Sequence, residues 1–475
     1  MRATFHLKTL AVAIATLSVA SMTNAAGLDR SGQDITAFFQ DGLYAEAVYT
    51  YIDADVTGND NAYIGTDNDA YTKGNATGDI AESYDFFRYG VKADINDTFS
   101  VGILYDEPFG AAAAYEGDNN FVANGDRDAV IKDVTGNPAY TEAVVDNVVI
   151  PQLQGALTPG NPGNLSPEQL AAAREGLTGL LTAKAIADAE EATAGEGTKV
   201  EVRSESITAI LGMKLGENKN FQIYGGPVAQ RVESDVKLRG LAYGPATGYT
   251  SRISPDQDYG WLAGIAYSKP EIALKAALTY RSEIDHSMQI SETYPLAGVL
   301  AGDPAAATQS GTIDITTPKS VNFDFQTGIN PTTLATARVR WVPWSDFEIV
   351  PPLYNAVSKN SYGPDGLALV DYDDDQWLVE LGLAKRLSPA LAVSGNIGWD
   401  SGAGNPTTSL GPIEGYYSAG LGAKYNVTEN WALSVGGKYL WFGDAKGQLP
   451  SKKIVADFED NDGYIVGVKV SYQAQ

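Results

Sequence analysis

The chain has 475 residues, with 33 Lys+Arg against 59 Asp+Glu, a formal charge of −26, and no cysteine. A polyanion of that size repels nucleic acid, and the missing thiols exclude disulfides and thiol chemistry. Two histidines, His6 and His286, leave little from which to build a zinc site or a nucleophile–base pair.

Residues 1–25 read as a secretory signal: Arg2 and Lys8 open it, Leu10 to Ala20 is apolar, and small residues surround Ala25 and Ala26. The apolar run is too short to span a bilayer as a helix. Cleavage removes Arg2 and Lys8 and no acidic residue, leaving 31 basic against 59 acidic side chains, a formal charge of −28, and His286 as the sole histidine. No later stretch of about twenty apolar residues occurs, which rules out a helical membrane protein.

A segment 26–42 follows, carrying Ile35, Phe38 and Phe39 among polar residues. From there a period of two predicts about fourteen strands: 43–56, 84–95, 98–109, 200–214, 220–236, 258–268, 271–290, 319–328, 333–349, 374–386, 390–401, 414–426, 430–443 and 462–472. Tight turns fall at Asn96-Asp97, Gly216 to Lys219, Lys269-Pro270, Asn330-Pro331, Ser388-Pro389 and Thr428-Glu429. Long connections (57–83, 110–199, 237–257, 291–318, 350–373, 402–413 and 444–461) alternate with them without exception. Short turns on one side, long loops on the other and an even strand count describe an all-β transmembrane antiparallel barrel of the outer membrane, here over 43–475.

The faces agree. One face of 258–268 reads Tyr259, Trp261, Ala263, Ile265, Tyr267, and one face of 430–443 reads Trp431, Leu433, Val435, Gly437, Tyr439, Trp441. Aromatics at both ends of an aliphatic band are interfacial girdles, which a soluble sandwich has no reason to carry. The last strand ends its apolar face in Tyr472, as barrel-assembly signals do, so the barrel-assembly machinery is an expected partner. Within the long extracellular loop 110–199, Ser166-Pro167-Glu168-Gln169 combines an N-cap, a first-turn proline and a capping-box glutamine, with Leu170, Leu177, Leu180 and Leu181 at helical spacing. That helix serves equally as a packed cap or as an apolar landing site.

Leu278-Thr279-Tyr280-Arg281-Ser282-Glu283-Ile284, Gly260 to Tyr267, Trp344-Ser345-Asp346-Phe347 and Tyr105-Asp106-Glu107-Pro108-Phe109-Gly110 resemble the FadL family, the long-chain fatty-acid and hydrocarbon transporters of the bacterial outer membrane. The resemblance runs from Ala26-Gly27 to the last strand. It implies a fourteen-stranded barrel closed by an N-terminal luminal plug, here 26–42, and a kinked third strand that opens the wall sideways so that hydrophobic substrate leaves into the membrane. Two features depart from the family: its Asn-Pro-Ala hatch motif is missing, and the largest helical loop follows the third strand rather than a later one.

On that reading Asp106, Pro108, Phe109 and Gly110 form the lateral opening, since proline cannot donate to a ladder and glycine tolerates a bend. Residues alone would also fit a strand end entering its loop. Ile35, Phe38 and Phe39 line an apolar pocket or anchor the plug. Phe86 and Arg88 share an inward face, and Arg281, Arg338 and Arg340 also point inward, where they bind a carboxylate head or pair with residues such as Asp324 and Glu380.

Acidic loop clusters at Asp53, Asp55 and Asp60, at Asp371 to Asp375 and at Asp457 to Asp462 read as solvated loops bridged by divalent cations to lipopolysaccharide. Asp53 to Gly58 imitates a calcium loop, but Ile64 stands where the closing glutamate belongs. Asp285-His286-Ser287 cannot form a triad because strand neighbours point to opposite faces, and His286 reads as a surface or loop residue. No catalytic residue, metal or cofactor is implied. The expected function is passive uptake of hydrophobic molecules, foremost long-chain fatty acids, with alkanes or aromatic hydrocarbons as the alternative cargo and a general diffusion porin as the rival.

Overall fold

The structure is a computed structural model and describes residues 28–63, 67–158 and 165–474. The expected signal segment 1–25, together with Ala26, Gly27 and Ile64, lies outside the described residues.

The described residues form fourteen barrel strands: β1 Leu43–Asp55, β2 Tyr84–Asp94, β3 Phe99–Asp106 continued by Gly110–Ala114, β4 Lys199–Leu215, β5 Phe221–Lys237, β6 Thr250–Lys269, β7 Leu274–Arg281 continued by Ile284–Thr293, β8 Thr308–Thr317 continued by Ser320–Asn330, β9 Thr333–Val342, β10 Gln376–Arg386, β11 Leu391–Asp400, β12 Glu414–Asn426, β13 Trp431–Gly443 and β14 Asp462–Ala474. Each pairs antiparallel with its neighbours in sequence, and the ring closes where β1 runs along β14 from Leu43↔Ala474 to Asp55↔Asp462. Closure matters physically: hydrocarbon offers no partner for a backbone N–H or C=O, so the ladder must supply them all.

Alternation sets the two faces. In β2, Tyr84, Phe86 and Arg88 turn inward and are buried, while Phe87, Tyr89 and Val91 face lipid. Short turns carry their own hydrogen bonds: Asn96 Oδ1 accepts from the N–H groups of Thr98 and Phe99 at 2.8 and 2.9 Å, folding β2 onto β3. On the opposite, extracellular side three long loops knit a five-stranded sheet from Gly58–Asn61, Lys73–Ala76, Thr407–Thr408, Ala445–Gln448 and Ile454–Phe458. The capping box stands as expected, with Ser166 Oγ accepting from Gln169 N–H and Gln169 Oε1 accepting from Ser166 N–H at the head of helix Pro167–Ala192. Of its leucines, Leu180 packs in a local core with Val130, Ile131 and Val145, whereas Leu181 is exposed.

The strand ends differ from the sequence expectation in instructive ways. Thr308–Thr317, expected as loop, is the upper arm of β8; it reaches beyond the lipid band, so its outer face is polar at Thr312, Asp314 and Thr316, while Ile313 and Ile315 turn inward into an apolar cluster. The strand expected over 333–349 stops at Val342 because Pro343 cannot donate, and Glu348–Ile349 pairs instead with Val370–Asp371.

Two stretches of the wall lack ladder pairs among the described residues. Between β2 and β3 pairing runs only from Asp94↔Ser100 to Tyr89↔Tyr105, resuming as a single bridge at Ala81↔Ala113. Between β6 and β7 it stops at Leu262↔Arg281 and resumes at Ile253↔Ile290, in unchanged register. In that second stretch Ile284 fills the wall, because a Cβ on Gly260 would stand 2.6 Å from its side chain. The panel between the two breaks, upper β3 to upper β6, is thus joined to the rest of the barrel mainly at its two ends.

Leu421 is 76% exposed on the lipid face in the middle of β12. Leu421→Arg is expected to cost about 2–4 kcal/mol at the bilayer midplane, read as a lower urea midpoint for folding into phosphatidylcholine bilayers.

Candidate functional site

The N-terminal segment enters the lumen and is fixed there by charge. Both oxygens of Asp29 take the Arg340 guanidinium, at 2.6 and 3.0 Å, with both side chains fully buried. Asp34 bridges Arg88 at 3.0 Å and Arg338 at 3.2 Å, and Arg338 also holds Asp324 at 2.8 Å. Burial would push the Asp34 carboxyl up, but Arg88 and Arg338 outweigh it and hold it well below the usual carboxylate range. Neutral bonds complete the seat: Ser320 donates to Gln33 Oε1 at 2.5 Å, and Asn322 Nδ2 donates to the Gly32 carbonyl at 2.9 Å.

Of the expected substrate-contacting residues, Arg88, Arg338 and Arg340 are therefore engaged by plug carboxylates. Phe38 is buried in a socket of glycines: a Cβ on Gly102 would lie 2.8 Å from its ring, and one on Gly212 2.7 Å. Ile35 is buried in the same cluster, Phe39 packs edge-on to Tyr224 at 5.2 Å, and Phe86 sits higher, against Tyr84 at 5.9 Å. Arg281 differs. It donates to Thr208 Oγ1 at 3.2 Å, its Nε has no hydrogen-bond partner, and among the described residues no carboxylate lies within 4.0 Å of it.

Asp106, Pro108, Phe109 and Gly110 make up a kink that turns β3 inward onto the plug. Arg30 N–H donates to the Pro108 carbonyl and Gly110 N–H to the Leu28 carbonyl, both at 2.8 Å. Asp106 accepts from Ser31 Oγ at 2.9 Å. On the β4 side, pairs Asp106↔Ser206 and Gly110↔Arg203 leave β3 one residue longer, a bulge. There Ser204 Oγ both donates to the Phe109 carbonyl (2.7 Å) and accepts from its N–H (2.8 Å), standing in for the ladder. Tyr84 to Arg88 of β2 are left without a strand along that edge.

The kink lies at the height of a polar layer across the lumen. Gln230 accepts from Thr317 Oγ1 at 2.6 Å and lies 3.0 Å from His286 Nε2, with Ser206, Thr208, Asp106 and Arg281 around it. His286, expected on a surface or loop, is buried inside the barrel because its inward parity on β7 puts it there. Below the layer is an apolar cluster with Ile35, Phe38, Leu104 and Ile210. Above it is a larger one with Phe109, Met288, Trp344 and Phe86, roofed by aromatics such as Tyr115 stacked on Phe121 at 4.1 Å.

Three small cavities thread the upper cluster: about 20 Å³ beside Phe109, Met288 and Trp344, about 30 Å³ beside Leu28, Val202 and Leu369, and about 60 Å³ beside Ile52, Ala111 and Tyr84. Leu28 and Val202 line the first two, and Ala111 and Leu410 line the last two, so the series leads to the unpaired edge of β2. A cavity of about 590 Å³ lies among the extracellular loops, and one of about 150 Å³ between Phe39 and the short-turn end of the wall.

Residues 236–473 match the family described as outer membrane protein transport protein (OMPP1/FadL/TodX). The chain belongs to this family. Its barrel is accordingly that of an outer-membrane transport protein, and the matched span covers the wall from the end of β5 to β14. No curated protein matches it by sequence. Among solved structures, a Pseudomonas aeruginosa FadL homologue is similar at 13% identity and TM-score 0.61, over 95% of this chain and 96% of that one. The Pseudomonas putida toluene transporter TodX is similar at 11% and 0.52, over 93% and 92%. The Ralstonia pickettii toluene transporter TbuX is similar at 10% and 0.50, over the same shares. At these identities the likeness is one of fold. It extends over the plug and β3, which the family match does not reach.

Asp29 was not singled out by sequence, although acidic residues in a segment destined for an arginine-lined lumen were the available signal. Asp29→Ala is expected to strand Arg340 and cost about 3–5 kcal/mol, read as a lower Tm and faster amide exchange over residues 28–40. The double variant Asp29→Ala/Arg340→Met should recover part of that loss. Gly102→Leu is expected to evict Phe38 and produce transient conductance in planar bilayers, where the parent protein stays closed.

Proposed function

We propose that this FadL/TodX-family protein takes up hydrophobic molecules passively and releases them sideways into the outer membrane through the gap between β2 and β3. The observation that carries this reading is the position of the apolar cavities: they rest on the polar layer and run to the unpaired edge of β2 at Tyr84. An apolar solute moving straight down would have to displace the buried hydrogen bonds of Gln230, Arg340 and Asp29, a desolvation cost of several kcal/mol. The sideways route meets mostly apolar side chains and, at the gap, the side-chain hydrogen bonds of Glu107 before it reaches lipid. The extracellular cavity of about 590 Å³ is within the usual size of ligand pockets and serves as the place of first capture.

For cargo we infer long-chain fatty acids, with Arg281 as the group that meets the carboxylate, since of the four luminal arginines singled out it alone has no ion pair within 4.0 Å among the described residues, and its Nε has no hydrogen-bond partner. Ile35, Phe38 and Phe39 would shape the lower apolar wall, and Phe86 the upper. A neutral hydrocarbon is the second reading: Arg88, Arg338 and Arg340 are engaged by the plug, and the cavity beside Phe109, Met288 and Trp344 is lined almost wholly by apolar side chains.

The test is uptake of radiolabelled oleate against toluene in a strain lacking the gene, with and without this protein. Arg281→Gln should depress oleate uptake and leave toluene untouched if fatty acid is the cargo. Restoring a paired wall with Pro108→Val and Gly110→Val should lower uptake of either by about tenfold, equivalent to about 1.4 kcal/mol of added barrier, while the barrel still resists heat in detergent. Uptake at the parent rate in that variant would sink lateral release.

A further inference from the structure

Where the ladder between β2 and β3 is missing, something other than a strand must meet the open edge of β2. The inward kink carries Pro108 and Phe109 away to the plug, but Glu107, the residue just before it, stays at the wall. Its carboxylate spans the gap. Oε1 accepts from the backbone N–H of Phe87 at 3.4 Å, and Oε2 accepts from the Tyr84 hydroxyl at 3.1 Å. Phe87 faces lipid and Tyr84 faces the lumen, so this one side chain ties the outer edge of the opening to its inner lining.

Tyr84 is also a wall of the last cavity in the apolar series. Its ring is clamped by two guanidinium groups, Arg30 at 4.9 Å and Arg203 at 5.3 Å from the centroid, which fixes the hydroxyl toward Glu107. Space around it is short: a Cβ on Gly110 would come within 3.3 Å of the Tyr84 hydroxyl. A solute in that cavity therefore reaches lipid only by parting Tyr84 from Glu107 and Glu107 from Phe87.

We propose that Glu107 is the latch of the wall opening, closing it through two side-chain hydrogen bonds that replace the absent ladder and parting from β2 when cargo passes. This rests on the lateral-release reading above and adds the group that regulates it. A ladder bond belongs to a continuous array and breaks only with its neighbours, whereas a side-chain bridge parts by rotation about its own bonds. The gap is thus closed at rest and opens locally, without disturbing Tyr89↔Tyr105 below it.

The experiment compares Glu107→Ala, Glu107→Gln and Tyr84→Phe in the full-length protein. The first readout is amide hydrogen exchange at Phe87 in detergent; the second is initial uptake of radiolabelled oleate and toluene by cells. Glu107→Ala is expected to speed both, by about three- to tenfold for the loss of two modest hydrogen bonds. Glu107→Gln should stay near the parent values, because an amide oxygen still accepts from Phe87 N–H and its nitrogen can donate to the tyrosine oxygen. Tyr84→Phe keeps the ring between Arg30 and Arg203, removes one bond, and should raise uptake by a smaller factor; it decides the matter should Glu107→Ala fail to insert. Unchanged Phe87 exchange in Glu107→Ala overturns the latch whichever probe is carried, and so does faster exchange with no rise in uptake of the probe the parent carries. Loss of uptake in the repaired wall with no effect of Glu107→Ala would leave lateral release standing and remove only the latch.

Discussion

Much of this protein depends on two carboxylates from its N-terminal segment finding three arginines on the inner wall. Asp29 on Arg340 and Asp34 between Arg88 and Arg338 are ion pairs removed from water, and breaking either would leave buried charge without a partner. Their consequence is positional. With the segment held at that height, the backbone of Leu28 and Arg30 becomes available as an alternative partner for β3, and Pro108 and Gly110 take it. A proline without an N–H weakens the outer ladder at the same point. The wall gap is the geometric remainder of that exchange: strand pairing lost to β2 is gained by the plug.

The same height divides the lumen. Ser206, Thr208, Gln230, His286, Thr317 and Arg281 form a layer in which most side chains already have partners, and apolar clusters lie on both sides of it. Such a layer is a barrier to hydrocarbon and a rigid support for the kink. It explains why a barrel wide enough for fourteen strands is neither an open bore nor a uniform greasy tube. On the lipid face outside the gap, Tyr49, Phe87, Tyr89 and Tyr105 pack against one another at 5.2 to 5.8 Å.

The loops follow a different logic. Outside the membrane the strands continue as arms, β8 by Thr308–Thr317 and β6 from Thr250, and the acidic stretches flank ordered structure. Asp60, for example, accepts backbone N–H groups from Asn75 and Asn120 at 2.7 and 2.6 Å, tying the first long loop to the segment before Phe121. Charge that looks merely solvated in sequence here fastens the extracellular cap.

By itself the sequence determined the barrel, its strand number, the side on which the short turns lie and the inward parity of Phe86, Arg88, Arg281, Arg338 and Arg340. Those properties follow from a period of two and from turn residues, both local. It also marked Pro108 and Gly110, because a missing donor and a missing Cβ are visible without coordinates. What an inward arginine meets depends on residues hundreds of positions away, as with Asp29 and Arg340, and no periodicity records that. The gap between β6 and β7, the burial of His286 and the bridging carboxylate of Glu107 likewise arise only once the wall closes and the plug is seated, since each is a relation between edges that the chain brings together at the end of folding.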